Sequence, residues 1–179
     1  MALYYCYMEA PVLTSEQEYL HSSYDPDCEL VDGQLLERNV GEREHSITQG
    51  EFTFFLGIRK QPWRIQVFPG QRIRIAPARY RVPDICVYRE PAPREKVFST
   101  PPWIVIEILS SEDRMSRIRR KIDDYLAFGV PHVWLIDPEA RTADVYTPQG
   151  FYPVKDLLLR TEDPAVQIPL PEIFRALDE

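Results

Sequence analysis

Glu107 stands in the middle of WIVIEIL, a run that is apolar at every other position. An isolated charge buried in such a run costs several kcal/mol even after relaxation, so something has to compensate it. A partner arginine, or protonation of the acid, is the plain structural answer. Asp84 suggests another. It opens the apolar stretch DICVY directly after Pro83, and if the two stretches are neighbouring strands, both carboxylates can lie on one side of a sheet. Like charges held close raise one of the two pKa values unless a cation sits between them. A hard divalent cation resolves that conflict, and Mg²⁺ typically takes one or two carboxylates together with waters and substrate phosphate. Such a site polarises a phosphate and activates water, which is the chemistry of phosphodiester hydrolysis.

A cationic partner for these acids is available downstream. Residues 112 to 128, EDRMSRIRRKIDDYLAF, form the clearest helix in the sequence, with Met115, Ile118, Ile122, Tyr125 and Leu126 on one face and Gly129 then Pro131 as the stop. Lys121 lies one turn before Tyr125, at the border of that face, and its long stem can lean toward a sheet. Arg114 and Arg117 share its stripe. A cation there can orient the attacking water and offset charge on a phosphate; the bland alternative is a solvated basic helix face.

The elements around these residues follow from local patterns. Ser15 and the acids after it favour a helix from residue 14 to about Tyr24. CELVDGQLLER reads as a hairpin turning at Asp32-Gly33, which puts Glu29 on a strand. From Glu42 to about Lys60, Ile47, Phe54, Phe55 and Ile58 recur at near-helical spacing, with His45 near the start. RIQVFPGQRIRI predicts two alternating strands joined at Pro-Gly as a second hairpin, with Gln66, Arg72 and Arg74 on polar faces, and PARYRVP is an arginine-rich link. DICVY, WIVIEIL and HVWLID are strands; the last two are apolar enough to be covered on both faces, as in an α/β sheet. Asp137 before Pro138 is a turn former. ADVYT pairs with HVWLID, and the tail holds short strands and a final helix near Pro171 to Leu177.

At 179 residues the chain is expected to form one compact domain, residues 1–179. The start, MALYYCYMEAP, lacks a cationic region before an apolar stretch, and no run approaches the length of a membrane span, so a cytoplasmic protein is expected. Cys6, Cys28 and Cys86 show neither zinc spacing nor an even count, and are expected as free thiols, at least two of them buried. The net charge of −7 argues against a polyanionic partner until it is divided: residues 1–58 carry −9, 59–121 carry +9 and 122–179 carry −7. A basic middle within acidic flanks fits local phosphate attraction, since contacts rather than total charge set phosphate binding. Pairing of the arginines with the acidic flanks fits equally well.

CELVDGQ, the acid of RVPDICVY, IVIEILSSEDR and KIDDYLAFGVPHVWLIDP, in that order, resemble the Uma-type restriction endonuclease family, a branch of the PD-(D/E)XK nuclease superfamily. The resemblance covers roughly residues 14 to 147. It implies an α/β, restriction-endonuclease-like fold, a central mixed sheet flanked by helices, and a Mg²⁺ (or Mn²⁺) site at the sheet edge that cuts DNA. Carried across, Asp84 and Glu107 resemble the metal-holding acids, with the Ile108 carbonyl as a backbone ligand. The superfamily's usual lysine position, two residues after the second acid, holds Leu109; Lys121, followed by Tyr125, matches the family's displaced lysine. Glu29 resembles an acid that related nucleases bring from an early element to hold a second metal or its water. His45 matches a position often histidine in the family, able to contact phosphate or shuttle a proton; a surface or capping role is the alternative. On this reading Arg72, Arg74, Arg79, Arg81, Arg114 and Arg117 guide the nucleic-acid backbone, and a homodimer cuts two strands. The rival expectations are a catalytically inactive module that binds nucleic acid or protein, a hydrolase of a small phosphorylated molecule, and a purely structural role for the acids.

Overall fold

The computed structural model describes residues 13–39, 41–163 and 165–179; Cys6 lies outside them. Helix α1 (Glu16–His21) starts where the Ser15 hydroxyl accepts from the Glu18 N–H at 3.1 Å. Strands β1 (Cys28–Val31) and β2 (Gln34–Glu37) form the expected hairpin. Asp32 and Gly33 both take positive φ, 52° and 81°, as the favoured two-residue hairpin turn requires. Helix α2 (Arg43–Gly57) and the short α3 (Lys60–Trp63) follow. The buried face of α2 is only partly the expected one, sharing Phe55 with it. Thr48, Phe52, Phe55 and Leu56 face inward, whereas Phe54 and Ile58 are 64% and 59% exposed.

The expected second hairpin does not form. Strand β3 (Ile65–Pro69) pairs with β6 (Ile85–Arg89), while β4 (Ile73–Ala76) pairs with β5 (Arg79–Arg81) in another sheet. Alternation specifies that a strand is half-buried, not which strand lies beside it. Here Pro69-Gly70 carries the chain from one sheet to the other, and the Gly70 N–H donates to the Asp84 carbonyl at 3.0 Å. The arginine-rich link is likewise a strand, β5, on which Tyr80 and Arg81 are buried.

The remaining elements are β7 (Ile104–Ile108), α4 (Met115–Phe128), β8 (His132–Asp137), β9 (Thr142–Thr147), β10 (Gly150–Pro153), β11 (Leu158–Thr161), β12 (Val166–Pro169) and α5 (Leu170–Phe174), then a 3-10 turn over Arg175–Asp178. The central sheet runs β10-β9-β8-β7-β6-β3; β2-β1-β5-β4 and β11-β12 form the other two. Only β7 and β8 pair in parallel within it, and α4 is the crossover that such a pair needs. Gly129, at φ 103°, ends α4 in a left-handed cap.

Both faces of the central sheet are covered. Ile104, Ile106 and Ile108 point to a core shared with α2 and α5, while Val105 points to a second core with Ile118, Ile122 and Tyr125 of α4. Strand periodicity therefore turns Glu107 toward α4. The four apolar side chains of β7 contribute about 2 kcal/mol each on burial, enough to hold the strand in place despite the acid. No helix among the described residues is long and apolar enough to cross a membrane.

Candidate active site

The β6–β7 register brings the two acids together. Ile85 pairs with Ile106, so one step further Asp84 lies opposite Glu107. Asp84 is pinned through its backbone as well: its carbonyl accepts from Gln49 Nε2 at 2.8 Å and from Gly70 N. Its Oδ2 accepts from the Ile108 N–H at 2.8 Å and contacts His45 Nε2 at 3.2 Å, and its Oδ1 accepts from Arg38 Nη2 at 3.2 Å. Glu107 is held by α4. Lys121 Nζ donates to Oε2 and the Tyr125 hydroxyl to Oε1, each at 2.6 Å. On α4, Ile118, Lys121, Ile122 and Tyr125 form the buried stripe, so Lys121 lies inside the apolar face rather than at its border.

Behind Lys121 lies a second group of charges. Glu29, fully buried, faces Lys121 Nζ at 3.5 Å and accepts from Arg81 Nη1 at 2.7 Å and the Val82 N–H at 3.0 Å. Arg81 turns its other nitrogens to Asp124, one turn beyond Lys121 on α4, at 2.6 and 2.9 Å. Arg79 closes the chain, bonding Asp124 and Asp32. Glu29 thus backs the lysine and is absent from the pocket lining.

The electrostatics separate the two acids. Burial would raise the carboxyl of Asp84, but His45 and the Lys121 charge outweigh it and hold Asp84 below the usual range. Burial dominates at Glu107, reinforced by Asp84 and Glu29 against the opposing Lys121, and pushes it up to about 7. Burial also works against the charge on His45, yet its contact with Asp84 leaves its pKa raised. Glu29 is lowered, because Lys121 and Arg81 overcome its desolvation.

A small pocket of about 40 Å³ opens on these residues, walled by Arg38, His45, Asp84, Glu107, Arg117 and Lys121 among others. Ile108 also lines it. Among the described residues there is no group of three or more His, Cys, Asp or Glu side chains arranged as ligands; Mg²⁺ does not require one, since it keeps several waters. The donor set fits such a cation in chemistry. Asp84 and Glu107 bring two carboxylates to the pocket, the hard oxygen donors that Mg²⁺ takes together with waters.

The six arginines expected to meet a nucleic acid divide. Arg72 lies over the Tyr19 ring and 3.9 Å from Asp27, Arg74 pairs with Glu16, and Arg79 and Arg81 belong to the buried chain. The side chains of Arg72 to Arg81 pair with the acidic N-terminal segment and with Asp124, which is the alternative that the charge distribution left open. Arg114 is exposed, and Arg117 reaches the Glu37 carbonyl from the pocket wall. Sequence reasoning missed Arg38, Asn39, Asp113 and Asp124. Arg38 did carry a signal, being one of two basic residues in the first 58. Asp113 braces the loop after β7 by accepting from the Ser110 N–H and Asn39 Nδ2, each at 2.8 Å. Asp137, as expected, accepts from the Ala140 N–H in a turn.

Comparison places this architecture in a known class. A crystal structure of a putative nuclease belonging to DUF820 from Anabaena variabilis matches with a TM-score of 0.77 at 24% identity, over 90% of this chain and 97% of that one. The fold is restriction-endonuclease-like. The Uma2 family, described as "Putative restriction endonuclease", matches residues 16–178. The chain belongs to that family and is by this membership an enzyme of the nuclease class. No curated protein matches it.

Proposed function

We propose that the protein, acting as one domain, is a divalent-metal-dependent endonuclease that hydrolyses phosphodiester bonds in DNA. The observation that carries this reading is the juxtaposition of Asp84 and Glu107 across adjacent strands in one pocket, with Lys121 bonded to the second acid. Asp84, Glu107 and the Ile108 carbonyl are the groups that would hold Mg²⁺ or Mn²⁺, whose chemistry when bound is to polarise the phosphate and offset its charge. Lys121 orients the attacking water beside Glu107 and stabilises the charge that builds on the phosphate. Tyr125 fixes the other oxygen of Glu107, so the carboxylate cannot rotate away. His45 steadies Asp84 and can pass a proton near neutral pH. Arg38 and Arg117, on the pocket wall, meet the phosphate oxygens, and Arg114 guides the backbone beyond them. Glu29 holds Lys121 in place and is not a ligand in this reading. Cutting both strands of a duplex calls for a second copy, so the working unit is a homodimer in the cytoplasm.

One observation favours a second reading. All four carboxylate oxygens of Asp84 and Glu107 already contact protein donors, as they would in an inactive module that binds nucleic acid without a metal. Calorimetric titration of Mn²⁺ into the wild type, Asp84→Ala and Glu107→Ala separates the two. The nuclease reading expects binding in the wild type that disappears in both variants. Nucleic-acid binding indifferent to Mn²⁺, with no heat of metal binding, supports the inactive module.

A further inference from the structure

Two clefts open off the site pocket, and they carry opposite charge. The first, of about 860 Å³, lies between the β1–β2 hairpin and α4 and meets the pocket at Asn39 and Arg117. Its helical wall presents Arg117 and Arg120, whose i, i+3 spacing sets them about 4.5 Å apart along the axis, with Arg114 before them at the N-cap of α4. Arg114 and Arg120 hold no ion pair among the described residues. Of the acids on this wall, Asp32 is neutralised by Arg79, leaving Glu112. The second cleft, of about 480 Å³, meets the pocket at His45 and Ser110 and is lined by Glu42, Glu44, Asp137 and Glu139, with no lysine or arginine. The two clefts share no lining residue.

A nucleic-acid strand carries a charge at every phosphate. Along the arginine cleft each contact releases counterions and favours binding. Continuing into the other cleft would bring the next phosphates within a Debye length of four carboxylates, about 8 Å at physiological salt. Arg43, 3.7 Å from Glu44, offsets one of these carboxylates, and the bond from Ser111 to Glu42 leaves the charge of Glu42 in place, so Glu42, Asp137 and Glu139 keep the cleft acidic. The arginine cleft has no aromatic side chain on which an unstacked base could lie, so it suits the backbone of a duplex rather than splayed single-stranded bases.

We propose that the substrate occupies one side of the site only. Duplex backbone follows Arg114, Arg117 and Arg120, and the cut strand ends or is interrupted next to the scissile phosphate instead of running on past Glu42, Glu44 and Glu139. This inference rests on the metal-dependent phosphodiester hydrolysis proposed above, in place of paired cutting of an intact duplex, and names its substrate class: DNA ends and nicks over continuous duplex.

The experiment compares one sequence in three forms, a relaxed closed circle, the same circle with a single nick, and the linear duplex, each incubated with wild-type protein and Mn²⁺. Cleavage confined to the neighbourhood of the nick and the ends, with the closed circle spared, is the expected result; a closed circle cut as readily as the linear form overturns the proposal. A binding arm uses the Asp84→Asn protein, so that loss of turnover does not decide the matter. If no form is cut by wild type, the nuclease reading fails, yet the proposal still requires nicked and linear DNA to bind at least tenfold tighter than the closed circle, and equal binding overturns it. Arg114→Ala with Arg120→Ala should lower the salt dependence of that binding by about two, and unchanged slope also counts against it. Glu42→Gln, Glu44→Gln and Glu139→Gln together should bring the closed circle toward the affinity of the nicked form.

Discussion

The charges around Lys121 fall into two groups that differ in how firmly they are closed. Behind the lysine, Glu29, Arg81 and Asp124 are tied by bonds of 2.6 to 2.9 Å, and Glu29 and Arg81 are 0% and 3% exposed. At the mouth, Asp84 meets Arg38 and His45 at 3.2 Å, and those two partners are 24% and 14% exposed. The rear group spends its bonding capacity on protein. The mouth group has longer contacts and an open side, so its partners can be exchanged for a phosphate or a cation at modest cost. Lys121 belongs to both, bonded forward to Glu107 and backed by Glu29. The difference teaches that buried charge here is held in two ways: one set ties α4 to the strands behind it, and the other opens on the pocket, where the proposed function puts the chemistry.

The largest expected effect breaks the rear group. Arg81→Ala takes away the cation that Glu29 and Asp124 share, leaving Glu29 to Lys121 at 3.5 Å and Asp124 to Arg79, and should cost about 3–5 kcal/mol of stability, read by denaturant unfolding; a loss below 1 kcal/mol would mean that the rear group is not structural. At the junction, Lys121→Met should retain folding and reduce turnover roughly a hundredfold or more, seen in single-turnover cleavage, whereas an unchanged rate would remove Lys121 from the mechanism.

The next effect is on pH. Glu107 is raised to about 7 from an ordinary 4.5, so between those values the metal-free folded protein binds more protons than the unfolded chain, and stability falls as pH rises. His45, also raised, adds loss in the same direction as pH passes through its folded pKa, while His132, lowered by burial and by Arg89, opposes it on the acid side of the ordinary histidine range. Asp84 and Glu29 are lowered, so their contribution is present above the usual carboxylate range and is lost only in acid. Unfolding free energies of metal-free protein between about pH 5 and pH 8 should therefore decline, and Glu107→Gln should flatten that slope; an unaltered slope would assign it elsewhere. The smallest effect belongs to the mouth. Arg38→Ala should cost no more than about 1 kcal/mol while weakening substrate binding, and a stability loss as large as that of Arg81→Ala would erase the distinction between the two groups.

Much of this arrangement was legible in the sequence where a local rule determined it. Asp32-Gly33 dictates a hairpin because both residues accept positive φ, and the apolar runs of β7 and β8 announce a sheet covered on both sides. Glu107 was conspicuous because an acid in such a run demands a partner. What the sequence left open was decided by tertiary neighbours. Alternation in β3 and β4 could not say that they join different sheets. Phe54 and Ile58 fitted a helical stripe, yet α2 turns Phe52 and Leu56 inward because the sheet lies on that side. Lys121 lies deeper than its position on the helix suggested, since Glu107 and Glu29 compensate its burial from strands more than ten residues away in sequence. Arg79 and Arg81 looked like phosphate contacts because nothing local reveals that β5 runs beside Glu29 and Asp124.

The central claim is that Asp84 and Glu107 form a metal-dependent hydrolytic site. Its most direct test is single-turnover cleavage of end-labelled, nicked duplex DNA by wild type and Asp84→Ala, with Mn²⁺ and with chelator, alongside circular dichroism to confirm folding. The account predicts cleavage by wild type only when Mn²⁺ is present, and none by a folded Asp84→Ala protein. Cleavage that survives the chelator, or that the variant performs at the wild-type rate, would contradict it.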